Sequence, residues 1–136
     1  MNISEILDAK GWDVATIEPD ALVLRALHDM SARNFGALVV TNDGEHVLGV
    51  ISDRDITLGL VRHGCDLLSL PVGDVMSTAV PVCRPDESTT SCMLTMTASR
   101  QRHLPVTVNG VLCGLVSIGD IVKHRIEELE LRCWAW

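Results

Sequence analysis

The chain reads as an α/β fold built from two β-α-β-β-α repeats related by an internal pseudo-twofold. Three observations lead there. Residues 14–44 align with residues 80–110 at an offset of 66. Within each copy, short apolar runs of strand length alternate with a stretch of helical apolar spacing. Turn residues fall at the same places in both copies, as expected of a duplicated structural unit.

The alignment is specific. Val14 meets Val80, Pro19-Asp20 meets Pro85-Asp86, Met30 meets Met96, and Leu38 meets Leu104. Val40-Thr41 meets Val106-Thr107, and Gly44 meets Gly110. One residue is then dropped, so that Gly49 meets Gly114, Ser52 meets Ser117, and Asp55-Ile56 meets Asp120-Ile121 at an offset of 65.

In the first copy, Thr16-Ile17 is a short strand ended by Glu18-Pro19-Asp20. Asp20 is positioned to cap a helix, since its carboxylate accepts free N–H groups of a first turn. Val23, Leu27, Met30 and Asn34 share one side of that helix, with Leu24 and Ala26 beside them, and Gly36 ends it. Ala37–Thr41 is a strand, Asn42-Asp43-Gly44 a turn, and Val47–Ile51 the returning strand. Ser52 opens a second helix whose Ile56, Leu60 and Val61 are expected in the core.

The second copy repeats this order. Val80–Cys83 is the first strand, Asp86 the cap, and 87–100 a helix with Cys92, Met93 and Met96 as its apolar side. Leu104–Val108 and Val111–Val116 flank a tight Asn109-Gly110 hairpin turn. Ser117 opens the last helix, through Ile121, Val122, Ile126 and Leu129 to about Leu131. Gly64–Gly73, with Pro71, reads as a linker, and Ser4–Ala9 and Gly73–Met76 as short helices leading into the copies. The expected divisions are 1–66 and 67–131, with a tail over 132–136.

Composition excludes several functions. The 136 residues are 47% hydrophobic and 21% charged, a globular balance. A net charge of −7 opposes nucleic-acid binding. Aromatic residues are 3%, too few for base-stacking platforms. No apolar run approaches the roughly 20 residues of a membrane span, and the start lacks a signal-peptide pattern, so the expected compartment is the cytoplasm. The five cysteines, an odd number with no C-x-x-C spacing, argue against a disulfide framework and against a structural zinc site, so no metal is expected. Cys133 is the candidate for a reactive or intermolecular thiol, and Trp134 and Trp136 are either a docking element or a ragged tail. No nucleophile–base pair, histidine cluster or glycine-rich phosphate loop suggests catalysis.

The candidate chemistry lies in Ser52-x-x-Asp55 and Ser117-x-x-Asp120, each at a strand-to-helix junction. A helix N-terminus presents unpaired N–H groups and partial positive charge, which suit a phosphate. The serine adds a hydroxyl, and a carboxylate one turn on can accept both hydroxyls of a ribose. The same pattern is also a capping box serving only the helix end. Charge separates the copies. Residues 1–68 carry five Lys/Arg against eleven Asp/Glu, a balance of −6, and residues 69–136 six against seven, a balance of −1. Arg100, Arg102 and His103 precede the middle strand of the second copy, which favours an anion there. Arg54 either reaches a phosphate or pairs with Asp53 or Asp55; Gly119 stands at its place in the second copy.

The paired motifs Gly49-Val50-Ile51-Ser52-Asp53-Arg54-Asp55-Ile56 and Gly114-Leu115-Val116-Ser117-Ile118-Gly119-Asp120-Ile121 resemble those of cystathionine-β-synthase (CBS) domains. Arg102-His103-Leu104-Pro105-Val106 and Asp74-Val75-Met76-Ser77 fit the same pattern. The chain resembles a stand-alone tandem CBS pair, or Bateman module, from about Ser4 to Glu130. The resemblance implies a non-catalytic sensor that binds AMP, ADP, ATP, NAD(H) or S-adenosylmethionine in clefts between the copies. It also implies a homodimer that signals to a regulated partner. Ser117, Asp120, Arg102, His103, Ser52, Arg54 and Asp55 would then meet sugar and phosphate. Val80, Val82 and Pro105, with Thr16, Ile17 and Val39 as their first-copy counterparts, would lie against adenine. The alternative is a structural dimerisation module with no small-molecule ligand.

Overall fold

In the computed structural model the described backbone covers residues 1–134, and side chains are described through Leu131. The expectations for Cys133, Trp134 and Trp136 as reactive or docking side chains lie outside that range. The chain forms two compact units. One comprises Val14–Val80 with Asn109–Leu112; the other comprises Met1–Asp13, Pro81–Val108 and the chain from Cys113 onward.

In the first-copy unit, β1 (Thr16–Ile17) pairs parallel with β2 (Ala37–Val40), and β2 pairs antiparallel with β3 (Gly49–Ser52). Strand alternation sends Ile17, Leu38, Val40 and Ile51 into one core with Val23, Ala26 and Met30 of α2 (Val23–Arg33) and Ile56 of α3 (Asp53–His63). Several expectations are corrected here. Asp20 does not cap α2: the cap position is Leu22, without a side-chain bond, and the N–H of Val23 is taken by the carbonyl of Leu70 at 2.9 Å. Gly36 does not end α2. Asn34 does so in the left-handed conformation, φ 56°, its N–H bonding Met30 O. Leu60 and Val61 are 50% and 83% exposed, so the core contact of α3 beyond Ile56 comes from Gly59. A Cβ there would stand 2.6 Å from Leu67 Cδ1, so the missing side chain is what admits Leu67.

Leu67 comes from the stretch that the sequence suggests is a linker. Gly64–Ser69 and Val72–Asp74 are instead 3₁₀ turns that bury Leu67 and Val72 completely. Backbone bonds from Val72 N to Ala21 O (2.7 Å) and Gly73 N to Pro19 O (2.8 Å) fasten this stretch to the start of the first copy.

The second-copy unit holds α1 (Ile3–Lys10), α4 (Thr89–Ser99), β4 (His103–Val108), β5 (Val111–Ser117) from Cys113 onward, and α5 (Ile118–Trp134). The helix that comes first in sequence therefore packs with the second copy. Ile3 N bonds Glu87 O at 3.0 Å and Ser4 N bonds Pro85 O at 2.9 Å, the counterparts of the Val72 and Gly73 bonds. Helix α4 starts at Thr89 under a Ser88 cap, not at 87 under Asp86. Arg100, which caps its C-terminus, repeats the left-handed conformation of Asn34, φ 57°. The expected strand Val80–Cys83 shrinks to a single bridge, Cys83 to Val106. The reason is local: Val39 donates its N–H to Ala15 O, but the equivalent Pro105 has none to give to Pro81. Leu7, Cys92, Met96, Leu104, Val106, Val116 and Ile121 are buried, but Met93, Val122, Ile126 and Leu129 are more than a third exposed. Of these, Met93 is the one the sequence assigns to an apolar helix side. Among the described residues, no helix is long and apolar enough to cross a membrane.

Candidate functional site

Each unit contains one strand-to-helix corner. At the first, Ser52 ends β3 and caps α3. Its Oγ accepts from Asp55 N (3.4 Å), while Asp55 Oδ2 accepts from Ser52 N (2.9 Å) and Ser52 Oγ (3.1 Å). At the second, Ser117 ends β5. Its Oγ accepts from Asp120 N (3.1 Å), and Asp120 Oδ2 accepts from Ser117 N (2.9 Å). Both are reciprocal capping boxes, so the structural alternative for Ser-x-x-Asp is realised in both copies. The box also fixes each carboxylate at the positive end of a helix, which is what an anion or sugar reader requires.

The corners differ in a second partner. Asp55 Oδ1 accepts from Ser77 Oγ at 2.7 Å. Asp120 Oδ2 accepts from Lys10 Nζ at 2.6 Å, and the same ammonium bonds Leu115 O at 2.8 Å. Burial alone raises the pKa of Asp120. The hydrogen bond and charge of Lys10 and the bonds from Ser117 outweigh it, holding the carboxyl below its ordinary value and hence ionised. Sequence reasoning missed both Lys10 and Ser77. They sit 110 and 22 residues from their carboxylates. Their only signal is position, each just after the segment that leads into a copy.

Each corner adjoins a groove within its own unit. Beside Asp120 a cleft of about 370 Å³ runs between α1 and α5, lined by Ile6, Ala9, Lys10, Lys123, His124 and Glu127. The Nε2 of His124 is buried there with no hydrogen-bond partner among the described residues. Beside Asp55 the corresponding cleft is about 230 Å³, with Arg62, His63, Asp74 and Ser77 on its wall.

The remaining candidates fall as follows. Thr16 and Val39 are partners across β1 and β2, on the face of that sheet opposite Leu38 and Val40; Thr16 is exposed and Val39 fully buried. Ile17 points into the first-copy core. Arg54 is exposed on the first turn of α3. Arg102 is exposed and passes its carbonyl to Ile118 N at 2.8 Å, fixing the start of β4 against the start of α5. His103 is half-buried and Pro105 buried on β4, Val80 is half-buried, and Val82 is 45% exposed. The acidic turn after β2 gathers Asp43, Glu45 and His46 at the surface. The hydrogen bond that His46 Nδ1 makes to Asp43 Oδ2 at 2.6 Å raises the pKa of His46, since the carboxylate accepts from and favours the protonated ring. Cys65, Cys83, Cys92 and Cys113 are free thiols.

Two capped corners of the same design, each joining a strand end to a helix N-terminus, define a module built from two copies of one unit. The CBS-domain profile matches residues 3–62 and again 72–127. The chain belongs to the CBS-domain family. It is 33% identical over 136 residues to the mitochondrial CBS domain-containing protein CBSX3 of Arabidopsis thaliana, covering 93% of this chain and 65% of that protein's length. The crystal structure of the CBS-domain containing protein ATU1752 from Agrobacterium tumefaciens matches with a TM-score of 0.88 and 38% identity, over 92% of this chain and 99% of that one. The CBS domain pair of protein MJ0100, solved with 5′-methylthioadenosine and S-adenosyl-L-methionine, shares the fold (TM-score 0.83) at 17% identity, over 94% and 98% of the two chains.

Proposed function

We propose that this CBS pair is a non-catalytic regulatory module that binds an adenosine-containing ligand and passes its ligand state to a partner protein. The candidates are AMP, ADP, ATP, NAD(H) and S-adenosylmethionine. One observation carries the reading: a helix N-terminus, a serine hydroxyl and an ionised aspartate are fixed together where a strand ends. Helix N–H groups favour phosphate, and a carboxylate accepts ribose hydroxyls. The adenosyl ligands of the MJ0100 pair support the ligand class. A ligand that prefers one conformation of the module shifts its population, and that shift is the signal.

A second copy of the chain is the partner we assign to the exposed apolar helix residues. Val61 on α3 and Ile126 on α5 hold the same position in the two copies, and both lie open to solvent. The free thiols fit a reducing compartment such as the cytoplasm.

A thermal-shift panel of AMP, ADP, ATP, NAD(H) and S-adenosylmethionine tests the ligand. At one hundred times Kd, a ligand stabilises the folded state by about 2.7 kcal/mol, which raises Tm on the order of 10 °C for a domain of this size. That rise is expected for at least one ligand and is expected to vanish in Asp120→Ala. No shift with any ligand would reject the reading in favour of a purely structural dimerisation module. Light scattering on the same samples is expected to give twice the chain mass; a monomer would remove the homodimer.

A further inference from the structure

The second copy places two thiols where the first places two hydrocarbon side chains. At the offset of 66, Cys83 stands for Ile17 and Cys92 for Ala26. Ile17 and Ala26 belong to one buried core cluster. Cys83 and Cys92 are 1% and 0% exposed, both within the second-copy unit, and each is the other's hydrogen-bond partner. The first copy fills these positions without sulfur, so packing alone does not call for a thiol at either.

The bond between them gives the two sulfurs different characters. The S–H of Cys83 faces the Cys92 sulfur, which holds the Cys92 thiol below its ordinary pKa and raises that of Cys83. Cys92 is therefore the nucleophile of the pair and Cys83 the resolving thiol. Cys113 on β5 is half-buried, and burial pushes its thiol up.

Both cysteines also sit on weakly held elements, which gives a small oxidant a way in. Cys83 is fastened to β4 through a single bridge, and it lies between Val82, 45% exposed, and the exposed Arg84. Cys92 is on α4, where Thr95, Thr97 and Ser99 turn their hydroxyls back onto the carbonyls of Ser91, Met93 and Thr95. That back-bonding weakens a helix slightly. Segments with few fastenings open locally at lower cost than a packed core.

We propose that Cys83 and Cys92 form a reversible redox lock inside the second-copy unit, closed by a peroxide. The Cys92 thiolate attacks one oxygen of hydrogen peroxide and the O–O bond breaks. Cys92 becomes a sulfenic acid, and the departing hydroxide takes up the proton that Cys92 released, giving water. Cys83 then attacks the Cys92 sulfur. The S–S bond forms, the S–O bond breaks, and the leaving hydroxyl takes the Cys83 proton as a second water. Two thiols are oxidised and one peroxide is reduced. A dithiol reductant reverses the bridge by exchange. The closed bridge ties the singly bridged Cys83 segment to α4 across a short loop, so the oxidised unit is the more stable form.

Titration of the reduced chain with hydrogen peroxide, followed by peptide mass mapping without reduction, tests this. The expected product is a Cys83–Cys92 bridge that dithiothreitol removes. Its formation is expected to raise Tm on the order of 5–10 °C, the scale of one short-loop disulfide. Cys92→Ala, which installs the first copy's residue, and Cys83→Val are each expected to lose both the bridge and the peroxide-induced rise. Circular dichroism checks that they fold, and either folded variant is sufficient. Oxidation confined to the exposed Cys65, a bridge through any other cysteine, or a Cys83–Cys92 bridge with an unchanged Tm would each overturn the proposal.

Discussion

Gly49→Ala is expected to destabilise the protein by about 2–4 kcal/mol, the combined scale of an overpacked core and two broken backbone hydrogen bonds. Gly49 opens β3, and a Cβ there would collide with the backbone carbonyl of Ser77 and stand 3.0 Å from Met76 Sδ. A carbonyl cannot rotate away as a side chain does, so the Val50–Ser77 bridge has to open. The equivalent Gly114→Ala meets Leu7 Cδ1 at 2.7 Å, the far end of a side chain that can shift its rotamer. It is expected to cost about half as much. For a domain with roughly 5–15 kcal/mol of stability, the first change lowers Tm on the order of 10 °C. Paired thermal melts of the two variants read the difference. Equal melting temperatures would show that the Val50–Ser77 bridge does not fasten the lead-in of the second copy to the sheet of the first.

The repeat, the first copy's strands and the two corners were legible because they depend on local chemistry. Ser-x-x-Asp names a helix start whether or not a ligand comes, and Asn109-Gly110 names a turn; the turn residues have φ of 51° and 81°. Elements governed by distant partners were not legible. Asp20 and Asp86 have the right side chain for a cap, but the α2 start is satisfied by the carbonyl of Leu70 and the α4 start by Ser88. Gly64–Gly73 has the composition of a linker, yet Leu67 fills the space left by Gly59, a fit that appears only once α3 is in place. Leu60, Val61 and Ile126 have the character of core residues but lie outside each unit's interior. Apolar character indicates burial against something, not against which surface.

The candidate site follows the same division. The carboxylates were identified by spacing, but what holds them was not. Lys10 and Ser77 reach them from segments that precede the other copy in sequence, so neither belongs to the motif it completes. The charge difference between the copies pointed toward the second corner. The hydrogen bonds differ at the same place: Asp120 accepts from the Lys10 ammonium, which helps hold its carboxyl below the ordinary value, while Asp55 accepts from the neutral Ser77 hydroxyl.

A carboxylate reading a sugar has a consequence in the sugar itself. On the proposed reading, removing one ribose hydroxyl would take a donor away from the Asp120 carboxylate, and a hydrogen bond to a charged group is worth about 1.5–3 kcal/mol. Equilibrium dialysis of AMP against 2′-deoxy-AMP, or of ATP against 2′-deoxy-ATP where the triphosphate binds more tightly, measures that difference. The ribonucleotide is expected to bind roughly 10–100-fold more tightly to the parent, with the preference gone in Asp120→Asn. Equal affinities for the two sugars on the parent would contradict a ribose-reading carboxylate at the second corner.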